Sequence, residues 1–332
     1  MLNSLIVMDP VFVDAVYDSA AQAEIKALSN LVAKPLSREE LLADLDILNN
    51  VDVIFSGWKS PSFDEEILKH APNLKMVFYG AGSIKKLVTD SFWANGIRVT
   101  TANSANAIPV AEFTLACTIL GLKNTHALHN QIQATRVYPD HGAAPITGGY
   151  KAKVGLISLG AIAREVLRLF TMFDYDVYVY DPFISEETAK ELNVTLVELD
   201  EIFKLCDVVS LHTPLLEVTT GMIRKDHFLS MKANSTFINT SRGAVVNEPE
   251  MIEALENRQD IIAYLDVVYP EPPAQDSKLY DLDNVYLIPH LAGSLGNEVG
   301  RMGSLMISEF KKYLNDEELD YEVTKAMFEV MA

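Results

Sequence analysis

The chain has 332 residues, 49% hydrophobic and 22% charged, which argues against a disordered or fibrous protein and leaves room for two cores at roughly 100–200 residues each. Its formal net charge of -19 at pH 7 argues against nucleic acid and anionic membrane surfaces as partners, because phosphate backbones are held by clustered Lys and Arg. Two cysteines, Cys117 and Cys206, supply neither a disulfide framework nor a thiolate metal site. They suit a reducing cytoplasm and read as small buried hydrophobes.

Leu5-Ile6-Val7-Met8 is followed at once by Asp9, without the basic and long apolar regions of an export leader. No window approaches about 18 uncharged apolar residues, so no membrane span is expected. Short apolar runs at 5–8, 51–56, 74–79 and 97–101 alternate with amphipathic stretches such as 64–70, predicting parallel βαβ units and a first, small α/β domain. Residues 108–122, with Glu112 as the only acid, predict a buried or interface helix that begins a second domain. The stretch 137–151 contains Pro139, Asp140, His141, Gly142, Pro145, Gly148 and Gly149 and predicts a mobile surface connection.

Beyond it the alternation restarts, with strands expected at 153–157, 176–180, 208–211, 236–239, 261–265 and 285–288 and a helix through 166–172. So many strands within about 140 residues match a doubly wound parallel sheet with helices on both faces. From Gly296 onward, Val299, Met302, Leu305, Met306 and Phe310 fall at helical spacing. This last helix is expected to return to the first domain, making that domain discontinuous.

The strand Lys153-Val154-Gly155-Leu156-Ile157 runs into Ser158-Leu159-Gly160-Ala161-Ile162-Ala163. This is a degraded dinucleotide fingerprint: Ser158 and Ala163 stand where the pattern has its first and third glycines. Ala163 still permits close packing of helix on strand, and Gly160 keeps the approach of backbone to pyrophosphate. Asp181, ending the strand Val177-Tyr178-Val179-Tyr180 twenty-one residues after Gly160, is placed to accept from ribose hydroxyls and to repel the 2′-phosphate of NADP. NAD is therefore the expected cofactor.

Three later segments end strands with reactive residues: Asn239-Thr240-Ser241-Arg242-Gly243, Asp266-Val267-Val268-Tyr269-Pro270-Glu271-Pro272 and Pro289-His290-Leu291-Ala292-Gly293-Ser294. With the fingerprint, Asp181, Tyr79-Gly80-Ala81-Gly82-Ser83 and Val110-Ala111-Glu112, they resemble the D-isomer-specific 2-hydroxyacid dehydrogenases, in the branch of phosphoglycerate dehydrogenase and glyoxylate/hydroxypyruvate reductase. The resemblance implies an α/β protein of two Rossmann-like domains with doubly wound parallel sheets: a flavodoxin-like substrate domain, 1–102 with 297–332, and an NAD-binding domain, 103–296. It implies hydride transfer between NADH and a small 2-oxo acid. His290 would be the acid/base, Glu271 would orient it and favour its charged form, and Arg242 would clamp the substrate carboxylate. Asp266 would meet the nicotinamide carboxamide. Thr213 and Pro214 would line the adenosine pocket, and Ser158, Gly160, Ala161, Ile162 and Thr240 complete the expected cofactor contacts. Ala81, Gly82 and Ser83 would bind the carboxylate from the small domain, across a cleft that closes, with Trp58 near the substrate.

Ala161 departs from the family's polar residue after the central glycine, and a Trp common before the fingerprint is missing. Phosphoglycerate would need further cations; Lys59, Lys85 and Lys86 are candidates, but read better as solvated. Glyoxylate, hydroxypyruvate or another short 2-oxo acid is the better expectation. Glu271, where formate dehydrogenases carry Gln, argues against formate, and Leu291-Ala292-Gly293-Ser294 argues against lactate. An alternative is an NAD(H)-sensing interaction protein of the corepressor type, and a third is an enzyme of sugar-derived acids, with a wider cleft around Trp58 and Tyr79. The 108–122 helix and following arm resemble the family's dimer interface, so a homodimer is expected. No histidine spacing suggests a metal, and His126 with His129 reads as a helix surface.

Overall fold

The structure, a computed structural model, describes every residue except His141, Ala143 and Ala332; His141, read above as part of a surface connection, lies outside the described residues. The chain divides into two compact units, 1–106 with 294–332 and 107–293. The sequence reading places these boundaries at 102/103 and 296/297. The difference arises because the first turn of the helix Asn103–Leu122 belongs to the first unit: Ala105 joins its core, and Asn106 Oδ1 accepts the Ser294 N–H at 2.8 Å.

The first unit holds a parallel sheet of β1 (Asn3–Val7), β2 (Asn30–Leu31), β3 (Val53–Ser56), β4 (Met76–Tyr79) and β5 (Arg98–Thr101), in the order β2-β1-β3-β4-β5, the flavodoxin order. Side-chain alternation builds its two faces. Leu5, Val7, Ile54, Val77 and Tyr79 enter one core, while Ile6, Val53, Phe55, Met76 and Phe78 enter the other with the helix Val299–Leu314. The expected C-terminal helix does return to this unit.

The second unit contains β6 (Lys153–Ile157), β7 (Asp176–Tyr180), β8 (Thr195–Leu196), β9 (Val208–Leu211), β10 (Thr236–Asn239), β11 (Ile262–Leu265) and β12 (Val285–Leu287), in the order β12-β11-β10-β9-β6-β7-β8. Every pairing is parallel. Val209, Leu211, Phe237, Ala263 and Leu265 face one core; Val208, Ile238, Ile262 and Tyr264 face the other. Both faces are covered, as the crossovers of a parallel sheet require.

By length and composition, at mean hydropathy 1.5, the helix Asn103–Leu122 could cross a membrane, and 56% of that window is buried within the protein. Asn103, Ser104, Asn106 and Glu112 break the uninterrupted apolar run sought above. Cys117 and Cys206 are buried free thiols, both pushed up to about 12 by burial. One expectation is corrected in part. His126 does not sit on a helix surface: its Nδ1 lies 2.7 Å from the Tyr264 hydroxyl and its ring 4.4 Å from that of Tyr286. His129, three residues on, is exposed.

Candidate active site

The expected cofactor and catalytic residues of the second unit follow the carboxyl ends of its strands: Ser158 after β6, Asp181 after β7, Thr213 and Pro214 after β9, Thr240 and Arg242 after β10, Asp266 after β11 and His290 after β12. Strand order reverses between β6 and β9, and open α/β sheets hold ligands in the crevice outside such a reversal. The Ser158 Oγ and Thr213 Oγ1 meet there at 2.9 Å.

Gly160 precedes the helix Ala161–Phe170 with φ -76 and no side-chain cap, and a Cβ built on it meets nothing within 4 Å. Neither its backbone nor the protein's own packing demands a glycine, and the open space leaves the unsatisfied first-turn amides within reach of an anionic group. Ala161 is exposed and Ile162 half-buried on that turn. Thr240 is 6% exposed, and its Oγ1 has no hydrogen-bond partner, a deficit that a bound polar group would relieve. Asp181 Oδ2 accepts from the Leu159 N–H at 2.7 Å and Oδ1 from the Phe183 N–H at 2.8 Å. It thereby ties the fingerprint loop to the end of β7, and each oxygen retains a further acceptor site. Pro214 is half-buried, its carbonyl accepting from Thr219 Oγ1 at 2.6 Å. These residues fit a dinucleotide.

Ser158, the main departure from the fingerprint, has φ 72, in the left-handed region where a glycine costs nothing and other residues about 1–2 kcal/mol. Its bond to Thr213 returns part of that, at about 1 kcal/mol. Thermal unfolding should therefore rank Ser158→Gly near wild type, Ser158→Ala about 1 kcal/mol lower and the β-branched Ser158→Val lowest. A wild-type Tm for the Val variant would contradict this backbone.

His212, next to Thr213, is 7% exposed, with Nε2 on Ser210 Oγ at 3.0 Å and no partner for Nδ1. Burial lowers its pKa to about 3, whereas an unfolded histidine titrates near 6.5. As pH falls from about 6.5 to 3, only the unfolded state gains this proton, so stability drops by up to about 1.4 kcal/mol per pH unit. Denaturant titrations from pH 7 to 4 should show His212→Gln losing stability less steeply by up to one proton's worth; parallel slopes would refute it.

At the other end of the crevice, His290 Nδ1 lies 2.7 Å from Glu271 Oε1, the side chains 50% and 43% exposed. His290 has φ 50, and its N–H donates to the carbonyls of Asp266 and Ile288 at 2.9 Å each. Asp266 is 2% exposed, and its Oδ1 accepts from the N–H groups of Leu291 and Ala292 at 2.7 and 3.1 Å. Burial raises the Asp266 carboxyl pKa and those amides oppose the rise. Arg242 Nη1 donates to the Ser241 carbonyl at 2.7 Å. Burial lowers its pKa, the Glu271 charge opposes that, and among the described residues Arg242 forms no ion pair. A cation without a carboxylate of its own, near an acid-supported imidazole, can bind an anionic carbonyl compound and exchange a proton with it. Among the described residues no group of three or more His, Cys, Asp or Glu could hold a metal ion.

Several supporting residues escape sequence reasoning. Ser241 Oγ donates to the Thr213 carbonyl at 2.5 Å, and Asn239 Oδ1 accepts from the Ser241 N–H at 3.1 Å. Glu248 Oε2 accepts from the Tyr269 N–H at 3.0 Å. An acid in a helix's first turn is ordinary, so nothing in the sequence singles Glu248 out.

The remaining expected residues lie in the first unit. Trp58 meets Phe12 edge-on at 5.2 Å. Thr101 Oγ1 donates to the carbonyls of Ala81 at 2.9 Å and Gly82 at 2.5 Å. The Ala81–Gly82 peptide is trans, so pinning the Ala81 carbonyl turns the Gly82 N–H the opposite way. Ser83 Oγ accepts from the Lys85 N–H at 3.5 Å. Lys59 is paired with Asp9 at 2.9 Å, and Lys85 Nζ donates to the Phe328 carbonyl at 2.5 Å.

Residues 115–292, over half of the chain, match the profile described as D-isomer specific 2-hydroxyacid dehydrogenase, NAD binding domain. D-3-phosphoglycerate dehydrogenase of Archaeoglobus fulgidus is 30% identical over 78% of this chain and 48% of its own length. That of Methanocaldococcus jannaschii is 29% identical over 94% and 58%. The chain thus spans about half the length of these relatives. A phosphoglycerate oxidoreductase from Rhizobium etli superposes with TM-score 0.83 at 19% identity, covering 98% of this chain and 99% of that one, a likeness of fold.

Proposed function

The chain belongs to the D-isomer specific 2-hydroxyacid dehydrogenase family, and from that premise we propose that it transfers hydride between NADH and a small 2-oxo acid, giving a D-2-hydroxy acid. The observation that carries the reading is the Glu271–His290 contact of 2.7 Å, at strand ends beside an unpaired arginine. Glu271 engages Nδ1, so the tautomer and ring orientation are set and Nε2 is left to exchange the proton with the substrate oxygen. Arg242, with its planar fork, binds the carboxylate and polarises the carbonyl. NAD supplies or accepts the hydride when bound. Ser158, Gly160, Ala161, Ile162, Thr213, Pro214 and Thr240 hold it, Asp266 faces its carboxamide, and Asp181 favours NAD over NADP. The seven-stranded unit is then the NAD-binding domain and the five-stranded unit the substrate domain. Ala81, Gly82 and Ser83 offer a further carboxylate-binding element: the Gly82 N–H is turned away from Thr101 and meets no protein acceptor among the described residues. Trp58 flanks the substrate.

Of the three candidate lysines, Lys59 and Lys85 are engaged by Asp9 and Phe328 and Lys86 is exposed to solvent, which favours a short unphosphorylated acid such as glyoxylate or hydroxypyruvate over phosphohydroxypyruvate. We also propose a homodimer through the 108–122 helix and the arm bearing exposed Val137, Tyr138 and Tyr150; sedimentation showing only monomer at low micromolar concentration would refute it. The buried thiols suit a cytoplasmic setting. The functional test is NADH oxidation with glyoxylate, hydroxypyruvate, pyruvate, oxaloacetate and phosphohydroxypyruvate. Turnover on one of the unphosphorylated acids is expected. NADH binding without turnover on any would overturn the small-acid reading in favour of a larger acid substrate or a cofactor sensor.

A further inference from the structure

We propose that Glu248 is a positioning residue for the proton-transfer pair, holding the segment that carries Glu271 and, through Glu271, the ring of His290. The inference rests on the reading of His290 as acid/base. The segment Tyr269-Pro270-Glu271-Pro272-Pro273 has three prolines, which carry no N–H, so it is nearly bare of backbone donors. Among the described residues, the Tyr269 N–H donates the sole hydrogen bond from the backbone of 267–273, and its acceptor is Glu248 Oε2 at 3.0 Å.

Glu248 is itself fixed. It is half-buried at the first position of the helix Glu248–Asn257, whose start is capped by Asn247. The turn Gly243–Val245, which follows Arg242, packs its glycine against the Val268 backbone. The acid therefore ties Tyr269, two residues before Glu271, to the helix that follows the Arg242 turn. Burial raises the Glu248 carboxyl pKa and the Tyr269 amide opposes the rise, in keeping with an oxygen held for one bond. Glu271 is 43% exposed, and solvent contact alone would not keep its Oε1 at 2.7 Å from His290.

The test compares wild type, Glu248→Ala and Glu248→Gln, the last retaining an acceptor oxygen. Two quantities are read: kcat with KM on the 2-oxo acid turned over, and the downfield Nδ1–H proton resonance of His290. Glu248→Ala should lose about 10- to 100-fold in kcat with little change in KM for NADH and lose the resonance, while Glu248→Gln keeps both near wild type. An Ala variant that retains kcat and resonance, or a Gln variant as impaired as Ala, overturns the proposal. Should Glu248→Ala not fold, Glu248→Asp, which draws the oxygen back by one methylene, carries the same comparison. If no 2-oxo acid is turned over, the functional reading fails while the resonance still decides the positioning role.

Discussion

His290→Asn should lower kcat by about 10²- to 10⁴-fold, the usual worth of a positioned acid/base, with NADH affinity within about twofold of wild type. Asn is the informative replacement because residue 290 has φ 50. Asn tolerates that conformation and Ala does so less well, so His290→Ala combines lost chemistry with added strain. Comparing the two separates the effects: both should lose kcat alike, while Ala alone loses about 1 kcal/mol of stability. Glu271→Gln should cost less, since an amide oxygen can still accept from Nδ1 but brings no charge beside the ring. A drop of under about tenfold in His290→Asn would mean that another group carries the proton.

Much of this was legible because parallel strands buried on both faces leave long apolar runs, and because ligand-facing residues must follow their carboxyl ends. Arg242, Glu271 and His290 are visible for that reason. The edge strands Asn30–Leu31 and Thr195–Leu196 are not, since two residues have no periodicity to read. The helix expected over 166–172 in fact runs Ala161–Phe170, because its first turn is the end of the fingerprint, Ala161-Ile162-Ala163, which reads in the sequence as loop motif rather than as helix. His126 reads as surface until the fold brings Tyr264 and Tyr286 beneath it. Glu248 and Thr101 act through backbone groups of distant segments, and such contacts leave no local pattern. Ser158 illustrates the reverse. The sequence shows a missing glycine, and the structure shows that the backbone kept the glycine-like φ of 72, with Thr213 as compensation.

Gly243→Ala should be the most damaging single-methyl change in the second unit. A Cβ at residue 243 would lie 2.0 Å from the Val268 carbonyl carbon and 2.1 Å from its oxygen, and these are backbone atoms that cannot rotate away. Relief requires moving the turn Gly243–Val245 away from the 267–269 segment. One side of that gap carries Arg242 and the other leads to Tyr269 and Glu271. Overpacking against backbone costs about 3 kcal/mol, which in a unit of this size lowers Tm by roughly 6–12 °C. The displacement also parts the arginine from the acid–imidazole pair, so kcat/KM should fall by at least about tenfold in the fraction that stays folded, because an error near 1 Å in a reacting constellation is worth that much or more. Ser158→Gly, at the far end of the same crevice, should leave Tm near wild type. Calorimetry and steady-state kinetics on the two variants together read the claim, and a Gly243→Ala protein with wild-type Tm and kcat/KM would show that the turn does not press on Val268.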